Sequence, residues 1–124
     1  MNINRDYIIN ISLAKSPTKG KITIPKDIVF YETDRHTQNI YLVATDTEIE
    51  DIQFILAFRY NNELIRLTGT PAGKDTVEFQ FPNLTAGRYE AEIVATKGEE
   101  ILVCDSFKFL VKSSITNRGS DING

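Results

Sequence analysis

Read for the alternation of apolar and polar positions, the chain falls into a succession of short strands. Residues 6–13 set Ile9, Ile11 and Leu13 against Ile8, Asn10 and Ser12, and residues 39–45 set Ile40, Leu42 and Ala44 against Tyr41 and Val43. Residues 52–60 point Phe54, Leu56 and Phe58 together, and Val77, Phe79 and Phe81 alternate with Glu78 and Gln80. Residues 84–96 place Tyr89, Ala91, Ile93 and Ala95 opposite Arg88, Glu90 and Glu92, and residues 100–111 bring Phe107, Phe109 and Val111 to one side. A period of two, rich in β-branched and aromatic residues, marks half-buried strands, so the aligned sets are the expected core. Carried backward, the inward face of the last strand takes in Ile101 and Val103 but also Asp105, which predicts a bulge near Cys104 and Asp105.

Turn residues divide these strands. Pro25 interrupts residues 22–31 and predicts an edge strand or a strand that changes sheets there. Asn61-Asn62 suits a two-residue type I′ hairpin loop, Lys97-Gly98 closes another tight hairpin, and Gly69, Pro71 and Gly73 make residues 68–74 a loop. Gly87 is expected to supply a permissive backbone before Tyr89. Seven to nine short strands without a helical pattern predict an all-β protein, an immunoglobulin-like antiparallel β-sandwich. Leu84-x-x-Gly87-x-Tyr89-x-Ala91 is similar to the tyrosine corner of such sandwiches, in which a phenol hydroxyl bonds the backbone at a sharp bend.

At 124 residues, with 41% hydrophobic and 25% charged residues, the chain is long enough for one domain with its own core. We assign residues 1–112 to the sandwich and residues 113–124, small and polar, to a linker or tail leading to a following region. A net charge of −3 with scattered Lys and Arg argues against nucleic acid. No apolar run reaches the length of a membrane span or a secretory signal, which predicts no membrane insertion and synthesis in the cytosol. Cys104 is the single cysteine, so no intrachain disulfide forms, and a strand position predicts a buried, inert thiol.

Chemistry is sparse. His36 lies in a polar turn far from Cys104 in sequence, no nucleophile, base and orienting group can be named, and no paired Cys or His spacing suits zinc. Asp46, Glu48, Glu50 and Asp51 crowd one loop, but without a calcium-loop pattern they read first as a solvated acidic connection. The expectation is therefore a protein that is not an enzyme and uses no cofactor. Tyr31, Tyr41 and Tyr60, with Val43 and Ile55 as outward apolar residues on neighbouring strands, are the candidate partner-contact patch.

Three runs, Phe30-Tyr-Glu-Thr-Asp-Arg-His-Thr37, Gly87-Arg-Tyr-Glu-Ala-Glu92 and Phe107-Lys-Phe-Leu-Val-Lys-Ser113, occur in the order found in one phage family. Together they resemble the N-terminal domain of the baseplate upper protein of phages that infect Gram-positive bacteria, over most of residues 6–114. The resemblance implies a non-enzymatic virion domain that plugs into the distal-tail ring of a tail baseplate and is followed by a stalk carrying the receptor-binding, host-recognition part. It also implies a monomeric isolated domain within an oligomeric full-length protein. The rival reading is an extracellular carbohydrate-binding or adhesin module that would use exposed aromatics on sugar rings.

Overall fold

A computed structural model describes residues 5–13, 21–32, 38–45 and 48–113. Among these residues ten strands run in chain order: β1 (Arg5–Ser12), β2 (Lys21–Thr23), β3 (Val29–Tyr31), β4 (Gln38–Ala44), β5 (Gln53–Tyr60), β6 (Glu63–Thr68), β7 (Thr70–Pro71), β8 (Thr76–Phe81), β9 (Gly87–Lys97) and β10 (Glu100–Lys112). They form two five-stranded sheets, β2-β1-β4-β8-β7 and β3-β10-β9-β5-β6, packed as a sandwich. The alternating sets meet between the sheets: Ile9, Ile11, Ile40, Leu42 and Phe79 from the first, and Phe30, Phe54, Leu56, Phe58, Ile93, Phe107 and Phe109 from the second, are all buried.

Two features depart from a purely antiparallel sandwich of seven to nine strands. β1 runs parallel to β4 and β3 runs parallel to β10, so both sheets are mixed. Between β1 and β4 the chain folds back as β2, crosses to the other sheet as β3, and returns along the far flank of β1 in β1's own direction. The count rises to ten because Pro25 splits residues 22–31 into β2 and β3, one in each sheet, and because the loop at residues 68–74 contains the two-residue β7. The strand broken at Pro25 thus does change sheets.

The second crossing, at Gly69, is abrupt. β6 belongs to one sheet and β7 to the other, with one residue between them. Gly69 N–H donates to the Phe54 carbonyl (2.8 Å), and a Cβ at this position would collide with Val77 Cγ1. The close approach of backbone to the facing sheet, not a turn conformation, selects glycine here. The two crossings join β2 to β3 and β6 to β7, which are the edge strands of the two sheets. Each lateral opening of the sandwich is therefore bridged by the chain itself, and three of the four edges are only two or three residues long.

Turn chemistry follows the sequence closely. Asn61 and Asn62 have φ of 52° and 67°, as a type I′ loop requires. Gly98 has φ of 61°, and because Lys97 pairs with Glu100 the hairpin loop is Gly98-Glu99, one residue beyond Lys97-Gly98. Gly87 does not match the expectation. It is not among the residues with positive φ, and a Cβ there would meet only the Tyr89 ring, at ordinary contact distances of 3.7–3.9 Å.

The predicted bulge is present. Val103 pairs with Val94 and Ser106 with Glu92, so Cys104 and Asp105 together stand opposite Ile93. The extra residue reverses the phase of the strand: Cys104 is buried and Leu102 packs on the core, while Ile101 and Val103, expected inside, point outward. The bulge also presents Asp105 to β2, where its carboxylate accepts from the Ile22 N–H at 3.4 Å. The polar turn with His36, Asp46 of the acidic loop, and the tail after Ser113 lie outside the described residues. Ser113 itself is half-buried and its hydroxyl donates to the Glu32 carboxylate.

Candidate interaction surfaces

The tyrosine corner is the best-defined local arrangement. Tyr89 Oη donates to the Thr85 carbonyl at 2.7 Å, and its ring stacks on Phe109 (centroids 5.1 Å apart, 11° between planes) and meets Phe58 edge-on at 6.1 Å. Tyr60, expected outward, instead leans on Tyr89 at 6.1 Å, and its hydroxyl accepts from the Thr85 N–H at 3.4 Å. It serves the corner because β5 ends beside the start of β9. Around this end, polar groups tie the layers together: Tyr7 Oη donates to the Val29 carbonyl (2.6 Å) and Ala86 N–H donates to the Glu32 carboxylate (2.8 Å). Tyr31 is half-buried, and its N–H donates to Gln38 Oε1 at 3.2 Å.

The candidate contact residues do not form one patch. β4 and β5 follow each other in sequence but lie in opposite sheets, so Tyr41 and Val43 are on the outer side of the first sheet and Ile55 is on the outer side of the second. Alternation shows that a residue points away from the core; it does not show which of two outward sides receives it.

On the first sheet the outward residues form a mainly polar field. Ile8, 53% exposed, pairs with Tyr41, and Tyr41 pairs with Glu78. Tyr41 Oη donates to Glu78 Oε2 at 2.8 Å, and this bond, then burial and the negative charges of Glu78 and Asp6, raise the phenol above its ordinary pKa. In the next row Asn39, buried, donates from Nδ2 to Asp6 Oδ1 at 3.0 Å, while Asn39 Oδ1 has no hydrogen-bond partner among the described residues. The burial of Gln38 and Asn39 escaped the sequence reading, in which polar residues at the start of a strand look solvated.

On the second sheet the outward side carries apolar residues at the β9–β10 hairpin end and charged ones, including Glu90, Glu92, Arg66 and Lys108, further along. Val94 and Val103 flank one another and Ile55 completes their row. A groove of about 830 Å³ runs between residues 24–29 and the strands β9 and β10, with Asp27, Arg88, Glu90 and Lys108 on its walls. Its charges are of both signs and do not converge. Among the described residues no group of three or more His, Cys, Asp and Glu side chains is placed to hold a metal ion, and no helix is long and apolar enough to cross a membrane.

No family model matches the sequence, and no curated protein is similar to it. Among solved structures the chain is similar to the N-terminal domain of phage TP901-1 ORF48, with a TM-score of 0.56 and 14% identity, over 90% of this chain and 99% of that one. It is also similar, with a TM-score of 0.50 and 18% identity, to part of a Bacteroides vulgatus protein provisionally described as a glycoside hydrolase, over 72% of this chain and 17% of that one. At these identities the likeness is one of fold.

Proposed function

We propose that this domain is a non-enzymatic structural part of a phage virion that anchors a tail-baseplate or receptor-binding assembly to the baseplate core. The observation that carries this reading is the end-to-end likeness to a phage N-terminal domain, in which 90% of this chain matches 99% of the other. The three ordered runs that resemble the baseplate upper protein point the same way, although the run at residues 87–92 is shared with other sandwiches. The glycoside hydrolase likeness covers 17% of its chain, the share expected of an accessory domain, and it keeps a carbohydrate-binding alternative in view. Against that alternative, Tyr60 is packed into the corner and offers no free aromatic platform for a sugar ring, which leaves Tyr41, its hydroxyl held by Glu78, as the aromatic that a glycan array tests.

The partners proposed are the distal-tail ring and the receptor-binding protein of the same phage, with no nucleic acid among them, and the location is the virion. Mixing the purified domain with the ring protein tests this directly. Co-elution in size-exclusion chromatography is the expected result. Failure to bind the ring, together with Tyr41-dependent binding on a glycan array, would replace the assembly role with the sugar-binding one.

A further inference from the structure

The apolar row on the second sheet's outer side has a form that strand preference alone does not explain. Ile55 on β5, Val94 on β9 and Val103 on β10 stand side by side, and Ile101 lies one row nearer the hairpin tip, opposite Thr96. Val103 is 40% exposed and Ile101 71%. β-branched residues suit any strand, which accounts for Ile55 and Val94 in the middle of the sheet. It does not account for Ile101 and Val103. β3 pairs with β10 only at residues 110–112, so at residues 101–103 β10 is the free edge of its sheet among the described residues, where folded proteins ordinarily place charge. The bulge turns these two side chains outward and buries Cys104 in their stead.

Charge around the row is mainly negative. The loop before β5 exposes Glu48, Glu50 and Asp51, with Lys74 next to it, and the hairpin tip exposes Glu99 and Glu100 beside Lys97, five acids to two cations. The loop is not free to swing away. Ile49 is buried, its N–H donates to the Lys74 carbonyl at 3.1 Å, and the Ile52 N–H donates back to the Ile49 carbonyl at 3.1 Å. The loop backbone is therefore held at the end of the sandwich where β5 begins, next to the row that holds Ile55. On the other flank Arg66 and Glu92 balance each other across Ala57.

We propose that this row is a docking face for a protein whose own contact patch is apolar and rimmed by lysine or arginine. Apolar side chains at the centre and a charged rim mainly of one sign are the anatomy of a specific interface, with the rim choosing the partner by complementarity. The face is read from this chain alone; its identity as the grip of a tail assembly rests on the function proposed above.

Two measurements separate these layers. In the first, the isotope-labelled domain is titrated with an amphipathic Leu–Lys peptide and, separately, with a Leu–Glu peptide of the same pattern. The Leu–Lys peptide is expected to shift the resonances of Ile55, Val94, Ile101 and Val103, to bind more weakly as salt rises, and to lose roughly tenfold or more in affinity with Ile101→Asp/Val103→Asp. Equal binding of both peptides, shifts centred on Ile8, or shifts that appear on concentrating the domain without peptide would overturn the proposal, the last in favour of a second copy as occupant. In the second, the ring protein replaces the peptide, with Ile8→Asp as the opposite-face control. Loss of ring binding with the double variant but not with Ile8→Asp is expected. If the wild type ignores the ring while the peptide maps to the row, the function falls and the face stands; if ring binding survives the double variant, the face falls and the function stands. Unchanged thermal melts of the variants check that the fold is intact.

Discussion

Where β9 begins, rings crowd together: Tyr7, Phe30, Phe58, Tyr60, Phe81, Tyr89, Phe107 and Phe109 form a continuous set of contacts with centroids 5.1–6.3 Å apart. Where β9 turns into β10, the interior takes Phe54, opposite Ala95, together with Ile49, Ala44 and Cys104, and the large apolar side chains at Ile101 and Val103 face out. The same two sheets thus close tightly at one end and display apolar surface at the other. The difference shows how a small sandwich can separate stability from contact: the aromatic end supplies area and edge-to-face geometry, and its hydroxyls bond backbone, Tyr7 in the facing sheet and Tyr60 and Tyr89 at Thr85. The hairpin end is then free to carry residues that the core does not need.

The largest effect expected from breaking this contrast is at Phe109, which touches Phe30, Phe58, Phe81 and Tyr89. Phe109→Ala should cost about 3–5 kcal/mol in chemical denaturation, since the rings around the hole cannot all collapse into it. Ile101→Asp, at the other end, should stay within about 0.5 kcal/mol, because that side chain is already in water. Comparable losses at the two positions would erase the division of labour.

A smaller effect is expected at the corner itself. Tyr89→Phe keeps the ring stacked on Phe109 and removes the bond to the Thr85 carbonyl, for a loss of about 1 kcal/mol. A loss several times larger would mean that the hydroxyl, rather than the ring packing, holds the bend.

The smallest effect separates the two outer faces by pH. Because the folded-state pKa of Tyr41 lies above its unfolded value, the folded protein keeps that proton longer, and the stability it contributes is full below the unfolded pKa of about 10 and lost as pH rises through the folded value. Ultraviolet difference titration should show one tyrosine ionising later than an ordinary one, and Glu78→Gln should bring it back down, as the bond to Glu78 is the leading cause. Substitutions on the second sheet's outer side should leave this titration untouched.

Much of the fold was readable from the residues. Period-two alternation placed Phe54, Leu56, Phe79, Phe107 and Phe109 in the core, Pro25 marked a change of sheet, and the intrusion of Asp105 into an apolar face announced the bulge. The candidate contact patch was read less well. Alternation alone leaves Tyr60 pointing outward, because a tyrosine at a strand end looks the same whether it meets water or a neighbouring ring. Alternation sets Ile101 and Val103 inside only if the phase runs unbroken through residues 104–105; the bulge there reverses it for the residues before it.

Most of the residues turned toward the core, and the places where the backbone must bend, are legible within a few residues, because side-chain alternation, proline's missing N–H and the left-handed tolerance of asparagine act at that range. That β4 and β5 belong to different sheets, that β1 and β4 run parallel, and that the apolar row gathers on one outer side emerge only in the assembled fold. Those outcomes come from pairing between segments far apart in the chain. Hydrogen bonds of an extended backbone have nearly the same form for every residue type, so local pattern leaves the choice of neighbour open until the whole core is packed.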